Sequence, residues 1–368
     1  MKKYNAIVCA AMMCAAMCAC GSKNQFTVNG VVDLPELEGQ TLYLMNLTAG
    51  NDAAPVDSAT VVDGKFTFKG TVEEPWQAMI GRSDSPFAAF AIIEPGTVAL
   101  TTDSVGGTPL NDKYFAYAKR LDISDIESGM AEYLPLYYGA ASAQERADAE
   151  RVLDSLEAEG NARMLDASWQ LYNDNKDNLL GVMAMETIVQ VGEYTYGEFD
   201  SIVKEASPLV AGNQKVQAKL GQLRAIDATS AGRHYTDIQG VDGKLSDLID
   251  GKLALVDFYA SWCGPCRNEI RDNLVPLWNK YQKKGLVIVG LNVWERGDRE
   301  AREAAHQKVM ADLGITYPQL VDSTRTATDT YGVNGIPQIM LIGPDGTILA
   351  RDLRGAAIEE AIVNALGK

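Results

Sequence analysis

Cys263 and Cys266, separated only by Gly264 and Pro265, are the residues of this sequence that most directly suggest chemistry. A two-residue spacing lets the sulfurs meet across one helical turn, and Pro265 suits the first turn, where its missing N–H costs little. Cys263 then lies at a helix N-terminus, where unpaired N–H groups and the helix dipole stabilise a thiolate. The spacing therefore predicts thiol-disulfide exchange, with Cys263 as the nucleophile and Cys266 positioned to resolve the mixed disulfide.

A metal site is the alternative use of two nearby cysteines. A tetrahedral zinc site would need two further ligands, and outside the N-terminal segment the sequence offers only His234 and His306 to join the cysteines. We therefore expect no metal, and no cofactor other than a redox-active disulfide between Cys263 and Cys266.

The first twenty residues have the layout of a secretory signal. Two lysines precede an uncharged apolar run, residues 6–19, which falls short of the roughly 20 residues that a membrane-spanning anchor, the alternative interpretation, would need. The run ends in Met-Cys-Ala-Cys-Gly-Ser at 17–22, which resembles a bacterial lipobox. We expect residues 1–19 to be removed and Cys20 to carry a lipid anchor on the extracytoplasmic side, with Gly21 favouring the outer membrane.

This interpretation leaves one pair of thiols in the mature chain. Of the 6 cysteines, Cys9, Cys14 and Cys18 would leave with the signal and Cys20 would carry lipid. A close pair without any structural disulfide framework is unusual for an extracytoplasmic protein of this size, which favours a redox role for the pair.

Strands and helices alternate around the cysteine pair. Apolar runs predict strands at 253–259, 286–293, 338–342 and 347–351, and longer periodic stretches predict helices at 263–283, 299–313 and 356–366. This order predicts an α/β domain over 232–368, preceded by a small, polar linker near 228–232.

The preceding part of the chain has a different pattern. Short β-prone runs separated by turn signals predict a small antiparallel β-sandwich over 20–110. Over 111–231 the apolar period becomes helical, and Ser142 and Glu145 have the spacing of a capping box. We therefore expect a multidomain protein with a helical middle region, in which Trp169 belongs to the core.

The charge of the chain limits its partners. The formal net charge is -16, and a field of that sign repels phosphate backbones, so we expect no nucleic-acid binding. The imbalance is concentrated in 20–231, with 15 basic and 31 acidic residues, whereas 232–368 has 16 and 18. Two surfaces of such different charge support a division into domains.

The residues around the cysteines resemble the thioredoxin superfamily. Leu-Val-Asp-Phe-Tyr-Ala-Ser-Trp-Cys-Gly-Pro-Cys at 255–266 is similar to its active-site segment, and Tyr-Gly-Val-Asn-Gly-Ile-Pro at 331–337 is similar to its cis-proline loop. Cys-Arg-Asn-Glu at 266–269, Pro-Asp-Gly at 344–346 and Leu-Arg-Gly at 353–355 resemble the TlpA/ResA-like extracytoplasmic thiol-disulfide oxidoreductases. The β-rich start, the helical middle and the lipobox are similar to lipoproteins of this group from Bacteroidetes. The resemblance implies a C-terminal thioredoxin fold.

The resemblance also implies roles for particular residues. Pro337 would be the cis-proline, with Ile336 offering backbone groups to a substrate peptide. Asp257 would be a buried acid with a raised pKa that accepts a proton from Cys266, with a partly solvated strand acid as the alternative. Glu269 would tune the pair or be a surface carboxylate, and Trp262 would flank the thiolate or only pack. Substrates would also meet the Gly-Pro dipeptide between the cysteines.

Two positions depart from the family pattern. The family has a proline soon after the glutamate, whereas residues 270–275 here precede Pro276, which leaves the helix geometry beyond Glu269 open. Gly290 stands where thioredoxin has a lysine near the buried acid, so the proton relay is expected to differ.

These features predict a lipid-anchored periplasmic thiol-disulfide oxidoreductase that reduces protein disulfides and receives electrons from a membrane or periplasmic thiol donor. Gly264-Pro265 and Ile336 favour the reducing direction, and cytochrome c maturation is a role within the family. One alternative is a thiol peroxidase, although Ala260 replaces the threonine expected three residues before its cysteine. Another is a binding lipoprotein whose acidic region 20–231 engages a partner.

Overall fold

The computed structural model describes residues 24–49, 54–82 and 88–367, so the expected signal and the lipidation site at Cys20 lie outside the described residues. The described residues fall into two compact units, one ending at Ala184 and the other beginning at Met185. Within these residues, no helix is both long and apolar enough to cross a bilayer.

The first unit begins with two four-stranded sheets that share one core. Their strand orders are β4-β1-β7-β8 and β3-β2-β5-β6. The strands are β1 (Gln25–Val31), β2 (Thr41–Asn46), β3 (Asp57–Thr60), β4 (Lys65–Thr71), β5 (Trp76–Gly81), β6 (Ala88–Ile93), β7 (Gly96–Thr101) and β8 (Val105–Gly106). Alternate side chains of both sheets, such as Phe66, Phe68, Leu42 and Leu44, face this core. The pairing is antiparallel except between β1 and β7, which run parallel.

Long helices follow the sandwich. They are α1 (Pro109–Arg120), α2 (Ser124–Gly139) and α3 (Ala143–Asp174), and α4 (Leu179–Val191) crosses the boundary between the units. Ser142 caps α3, because its side chain accepts a hydrogen bond from the Glu145 N–H at 3.2 Å. The Glu145 carboxylate accepts from the Ala141 N–H rather than from the cap residue itself. Trp169, which we expected in the core, is half-buried and lies edge-on to the buried Tyr172 one turn along α3.

The second unit contains a mixed five-stranded sheet of order β11-β10-β9-β12-β13. Its strands are β9 (Leu253–Tyr259), β10 (Leu286–Asn292), β11 (Gln319–Val321), β12 (Gln338–Ile342) and β13 (Ile348–Ala350). The first three are parallel, and β12 and β13 are antiparallel to their neighbours. Every residue of β9, β10 and β12 is buried, because separate apolar clusters cover the two faces of the sheet.

Helices supply those two covers. They are α8 (Leu245–Ile249), α9 (Gly264–Glu269), α10 (Val275–Tyr281), α11 (Arg299–Leu313), α12 (Thr326–Tyr331) and α13 (Ala356–Leu366). Before them in the chain, α5 (Tyr196–Glu205), α6 (Pro208–Ala211) and α7 (Gln214–Ala228) contact one another, and α7 also contacts α12. This arrangement confirms the expected fold class, a β-rich start, a helical middle and a thioredoxin-like α/β end.

The segment expected to be a linker near 228–232 is instead fastened to the sheet. Gly232 donates to the Ile348 carbonyl, and the Ile348 N–H donates to the Arg233 carbonyl, both at 2.8 Å. The Arg351 guanidinium donates to the Thr229 carbonyl at 3.1 Å. The small residues near 228–232 are typical of a linker, but they also allow the chain to lie close to β13.

Candidate active site

The two cysteines lie at the start of α9, shortly after the end of β9, and a disulfide joins them with their Cα atoms 5.3 Å apart. Cys263 is the N-cap of α9, and its sulfur accepts a hydrogen bond from the Cys266 N–H at 3.2 Å. Cys263 is 4% exposed and Cys266 is fully buried. The expected division of roles requires the attacking sulfur at the helix N-terminus, where Cys263 lies, and the resolving sulfur behind it, where Cys266 is buried.

The cis-proline loop faces this disulfide. The Ile336–Pro337 peptide is cis, and the Ile336 carbonyl oxygen lies 3.8 Å from the Cys263 sulfur. Trp262 is 43% exposed, and Gly264 and Pro265 are also exposed. The structure thus brings the residues expected to meet a substrate to one rim around Cys263.

Asp257 lies beneath this rim in the centre of the sheet. It is 1% exposed and shares a strand face with Leu255 and Tyr259, which pack in the cluster that contains both cysteines. Neither carboxylate oxygen has a hydrogen-bond partner among the described residues. Burial raises the pKa of Asp257 to about 8, with a smaller contribution from Glu269 in the same direction and an opposing one from Arg354. The alternative of a partly solvated acid is therefore wrong.

Glu269 is half-buried, and two hydrogen bonds hold its carboxylate in place. Its carboxylate accepts from the Asn273 side chain at 2.8 Å and from the Gly355 N–H at 3.0 Å. It therefore joins the redox helix to the loop before α13 and is not a free surface carboxylate.

Arg354 is a residue that the sequence analysis used only as part of a family motif. Its guanidinium donates to the Pro337 carbonyl and to its neighbour's carbonyl at Leu353. It is also the cation that lowers the pKa of Asp257. The loop before α13 thereby contacts the cis-proline and influences the buried acid, which residue spacing alone gave no means of predicting.

The Gln319 side chain occupies the space beside Gly290. Gly290 is the register partner of Asp257, and a Cβ there would collide with the Gln319 amide. That oxygen accepts a hydrogen bond from the Tyr259 hydroxyl at 2.7 Å. The neutral side chain of Gln319 therefore takes the place near the buried acid that a lysine would fill.

The helix beyond Glu269 contains a π-helical segment, Ile270–Leu274. At its end the Val275 N–H donates to the Ile270 carbonyl, five residues back. Pro276 has no N–H to continue the α-helical pattern, and the extra residue per turn absorbs that break without ending the helix. The late proline is thus accommodated by a change of helical geometry before α10.

The loop after β10 holds the residues that precede Cys263. Glu295 accepts from the N–H and the hydroxyl of Ser261, each at 2.6 Å. The Trp262 indole donates to the Trp294 carbonyl at 2.9 Å, and the Arg296 guanidinium lies 4.1 Å from the centre of the Trp262 ring. These contacts join segments 34 residues apart in sequence, so no local motif could predict them.

A disulfide at a helix N-terminus, a cis-proline loop and a buried acid beneath them define a thioredoxin-like redox domain. Among the described residues there is no group of three or more His, Cys, Asp or Glu side chains that could hold a metal ion.

Comparisons with known proteins agree with this class. Residues 224–351 match the AhpC/TSA family, and residues 26–114 match a domain of unknown function, DUF4369. ResA of Bacillus thuringiensis, a thiol-disulfide oxidoreductase, is 31% identical over 114 residues, covering 31% of this chain and 61% of that protein. The thiol:disulfide interchange protein CycY of Rhizobium leguminosarum is 35% identical over 125 residues, covering 33% of this chain and 61% of that protein.

Part of the chain also resembles a solved structure. The thioredoxin domain of a thiol-disulfide oxidoreductase from Bacteroides vulgatus is 29% identical, with 37% of this chain and 96% of that chain covered and a TM-score of 0.33. The chain spans about three fifths of the length of the curated relatives it matches, 61% for both ResA and CycY. The ResA and CycY matches confirm the expected resemblance of the C-terminal part of this chain to TlpA/ResA-like proteins.

We expect Asp257→Asn to stabilise the oxidised protein at alkaline pH. The pKa of Asp257 is about 8 in the folded protein and ~4 in the unfolded chain. The acid therefore makes its full contribution to the free energy of unfolding only below pH ~4. This contribution is lost as the pH rises to about 8, because the unfolded chain releases the proton over that interval while the folded protein retains it. Urea unfolding at pH 8.5 should show the variant more stable by about 2–5 kcal/mol, with little difference at pH 4.

Asp272→Asn is the control, because this exposed acid pairs with Arg271 on the surface. An Asp257→Asn difference that stays constant from pH 4 to pH 8.5 would contradict the raised pKa.

Proposed function

We propose that this protein is an extracytoplasmic thiol-disulfide oxidoreductase that reduces disulfides in other proteins. The observation that carries the proposal is the position of the Cys263 sulfur, which lies 3.2 Å from the Cys266 N–H and 3.8 Å from the Ile336 carbonyl oxygen. The first contact favours a thiolate on Cys263. The second supports the proposal that an extended substrate backbone would lie along the cis-proline loop with its disulfide at that sulfur.

The reaction has two exchange steps. The Cys263 thiolate attacks one sulfur of the substrate disulfide, forming a mixed disulfide and releasing the other substrate sulfur as a thiolate. The Cys266 thiolate then attacks Cys263, which forms the Cys263–Cys266 disulfide and releases the second substrate thiol. Two electrons pass to the substrate, and an external thiol donor must reduce the enzyme before the next cycle.

Asp257 supplies the base for the second step. An acid whose pKa is about 8 exchanges its proton near physiological pH, and burial keeps it available only to groups within the core. Cys266 is fully buried in that core, so its proton has no direct route to solvent. Glu269, through its effect on Asp257 and its contact with Gly355, would tune this base.

A thiol peroxidase is less well supported. The AhpC/TSA match covers this domain, but the residue three before Cys263 is the fully buried Ala260, which has no hydroxyl to bind a peroxide.

The acidic region 20–231 would serve partner recognition or placement at the membrane. The DUF4369 match at 26–114 supports treating the β-rich part of this region as a separate domain.

Replacing each cysteine should separate the two exchange steps. Cys263→Ser should lower the rate of insulin disulfide reduction by at least about 100-fold, because it removes the attacking sulfur. Cys266→Ser should instead accumulate a mixed disulfide with the substrate, visible on non-reducing gels and by mass spectrometry. Trapping by Cys266→Ser that matches trapping by Cys263→Ser would overturn the assignment of nucleophile and resolving residue.

The direction of electron flow should appear in the reduction potential of the Cys263–Cys266 pair, measured by equilibration with glutathione or dithiothreitol buffers. A reductase should have a value near the thioredoxin end, about -270 mV. A value near about -120 mV would mean an oxidant that donates disulfides, and the proposed direction would be wrong.

Membrane attachment should depend on Cys20. Expression in a bacterium with radiolabelled palmitate should label the chain, and Cys20→Ala should lose the label and move the protein to the soluble periplasmic fraction. Cys18→Ala is the matched control and should remain labelled. Labelling that survives Cys20→Ala would show that the anchor lies elsewhere.

A further inference from the structure

Helices α2 and α3 form an antiparallel hairpin in the first unit, and we call residues 124–174 the helical hairpin. Among the described elements, α3 is the main neighbour of α2. On the face where the two helices meet, Gly129 lies against Leu156 and Ile126 lies against Gly160. The opposite side of α2 is therefore open to another molecule.

This open side of α2 carries a stripe of apolar side chains. Ala131, Leu134, Pro135 and Tyr138 recur at i, i+3, i+4 and i+7, the spacing of a face that packs against another helix. All four are exposed, Leu134 by 38% and Tyr138 by 77%. Neighbouring apolar side chains left in solvent mark interaction surfaces, whereas single ones are ordinary. We call these four residues the α2 stripe.

Pro135 adds a hydrogen-bond acceptor to the stripe. Proline has no N–H, so the carbonyl of Ala131, four residues earlier, lacks its α-helical donor. A donor from another molecule, such as an ammonium or guanidinium group, can bond this carbonyl beside the apolar side chains. The open side of α2 therefore offers both apolar contact and an acceptor for a cation.

The helical hairpin is strongly acidic. It contains 11 Asp and Glu residues against 3 Arg and no Lys, and its net charge of -8 is half of the -16 carried by the chain. The ion pairs that Arg151 and Arg163 make with hairpin acids are included in this count. All 11 acids are exposed. Glu127 lies one turn before Ala131 on the stripe side of α2, and Glu132 lies beside the stripe.

This charge selects among the molecules that could cover the stripe. A second copy of the chain would bring another surface of net charge -8, and anionic lipid would be repelled in the same way. A protein segment rich in lysine and arginine would be attracted, and apolar residues at helical spacing would let it pack on the stripe. The occupant that fits both properties is an amphipathic helix with a basic face.

We propose that the α2 stripe and the acids beside it dock a basic amphipathic helix of another protein. The inference rests on the partner-recognition role proposed for region 20–231 and not on the disulfide chemistry. The docked helix would lie along α2 as a third helix of the bundle. Its apolar residues would cover Leu134 and Tyr138, and its cations would meet Glu127 and Glu132.

The test uses the full chain with Cys20→Ala, so that no lipid anchor interferes, and three labelled peptides of equal length. The first has leucines along one helical face and lysines elsewhere, and the second has the same composition with its leucines spread around the helix. The third has glutamates in place of the lysines of the first. Fluorescence anisotropy should show the first peptide bound about tenfold more tightly than the second, weakening as salt rises, and the third unbound.

Removing the apolar cover should abolish this preference. Leu134→Ser/Tyr138→Ser should lower the affinity for the first peptide to that for the second. The matched control is Leu209→Ser/Val363→Ser, since these side chains are 51% and 49% exposed outside the hairpin, and it should bind as the parent does. Unchanged affinity in the stripe variant, or an equal loss in the control, would contradict docking on the stripe.

The charge of the partner is tested with the stripe intact. Glu127→Gln/Glu132→Gln should weaken binding of the first peptide about threefold and reduce its dependence on salt. Glu73→Gln/Glu74→Gln is the control, because these exposed acids lie between β4 and β5 in the β-sandwich. Equal affinities in the two variants would show that the acids beside the stripe do not select a basic partner.

Two further measurements distinguish the other possible occupants. Sedimentation that shows a dimer of the parent protein, lost in Leu134→Ser/Tyr138→Ser, would assign the stripe to a second copy. Flotation with phosphatidylcholine or phosphatidylglycerol vesicles that depends on the same two residues would assign it to a membrane. Either result would refute the proposal.

Insulin reduction by the same samples separates this inference from the oxidoreductase proposal. Binding of the first peptide without insulin reduction would keep the docking surface and reject the redox function. Insulin reduction without stripe-dependent binding would reject the docking surface alone.

Discussion

The burial of Asp257 is the constraint on which the arrangement of the redox site depends. An ionisable group in the middle of β9 without a hydrogen-bond partner is unfavourable when charged, so the core that buries Asp257 favours its protonated form. The same core also encloses Cys266, whereas Trp262 beside Cys263 is exposed. Burial beneath the rim thus accounts both for the raised pKa of Asp257 and for the separation of Cys266 from solvent.

Contacts from both sides hold the rim above this acid. On one side Arg354 and Gly355 bind the Pro337 carbonyl and Glu269, which ties the cis-proline loop to the redox helix. On the other side the loop after β10 binds Ser261 and Trp262 through hydrogen bonds and an arginine–indole contact. The disulfide therefore sits between two loops that are each fixed to it by side chains, which pre-organises the surface that a substrate must meet.

Local patterns predicted most elements of the second unit, and long-range contacts account for what they missed. The helices 299–313 and 356–366 and the strands 253–259 and 338–342 were predicted at their observed bounds, because their apolar periods are long and regular. Strand β11 and helix α12, of 3 and 6 residues, are too short to show a period. The parallel pairing of β1 with β7 and the contacts of Arg354 and Glu295 join residues far apart in sequence. Residue types and spacing cannot specify such contacts.

The distribution of charge around the disulfide makes its two sulfurs unequal. The helix N-terminus and the exposed Arg296 lie on the rim, where they favour negative charge on Cys263. Asp257 and Glu269 lie on the inner side, and a negative charge on Cys266 would meet both burial and like charge there. Under the proposed function, Cys266 would stay a thiol until a mixed disulfide is ready to be resolved, and Asp257 would then take its proton.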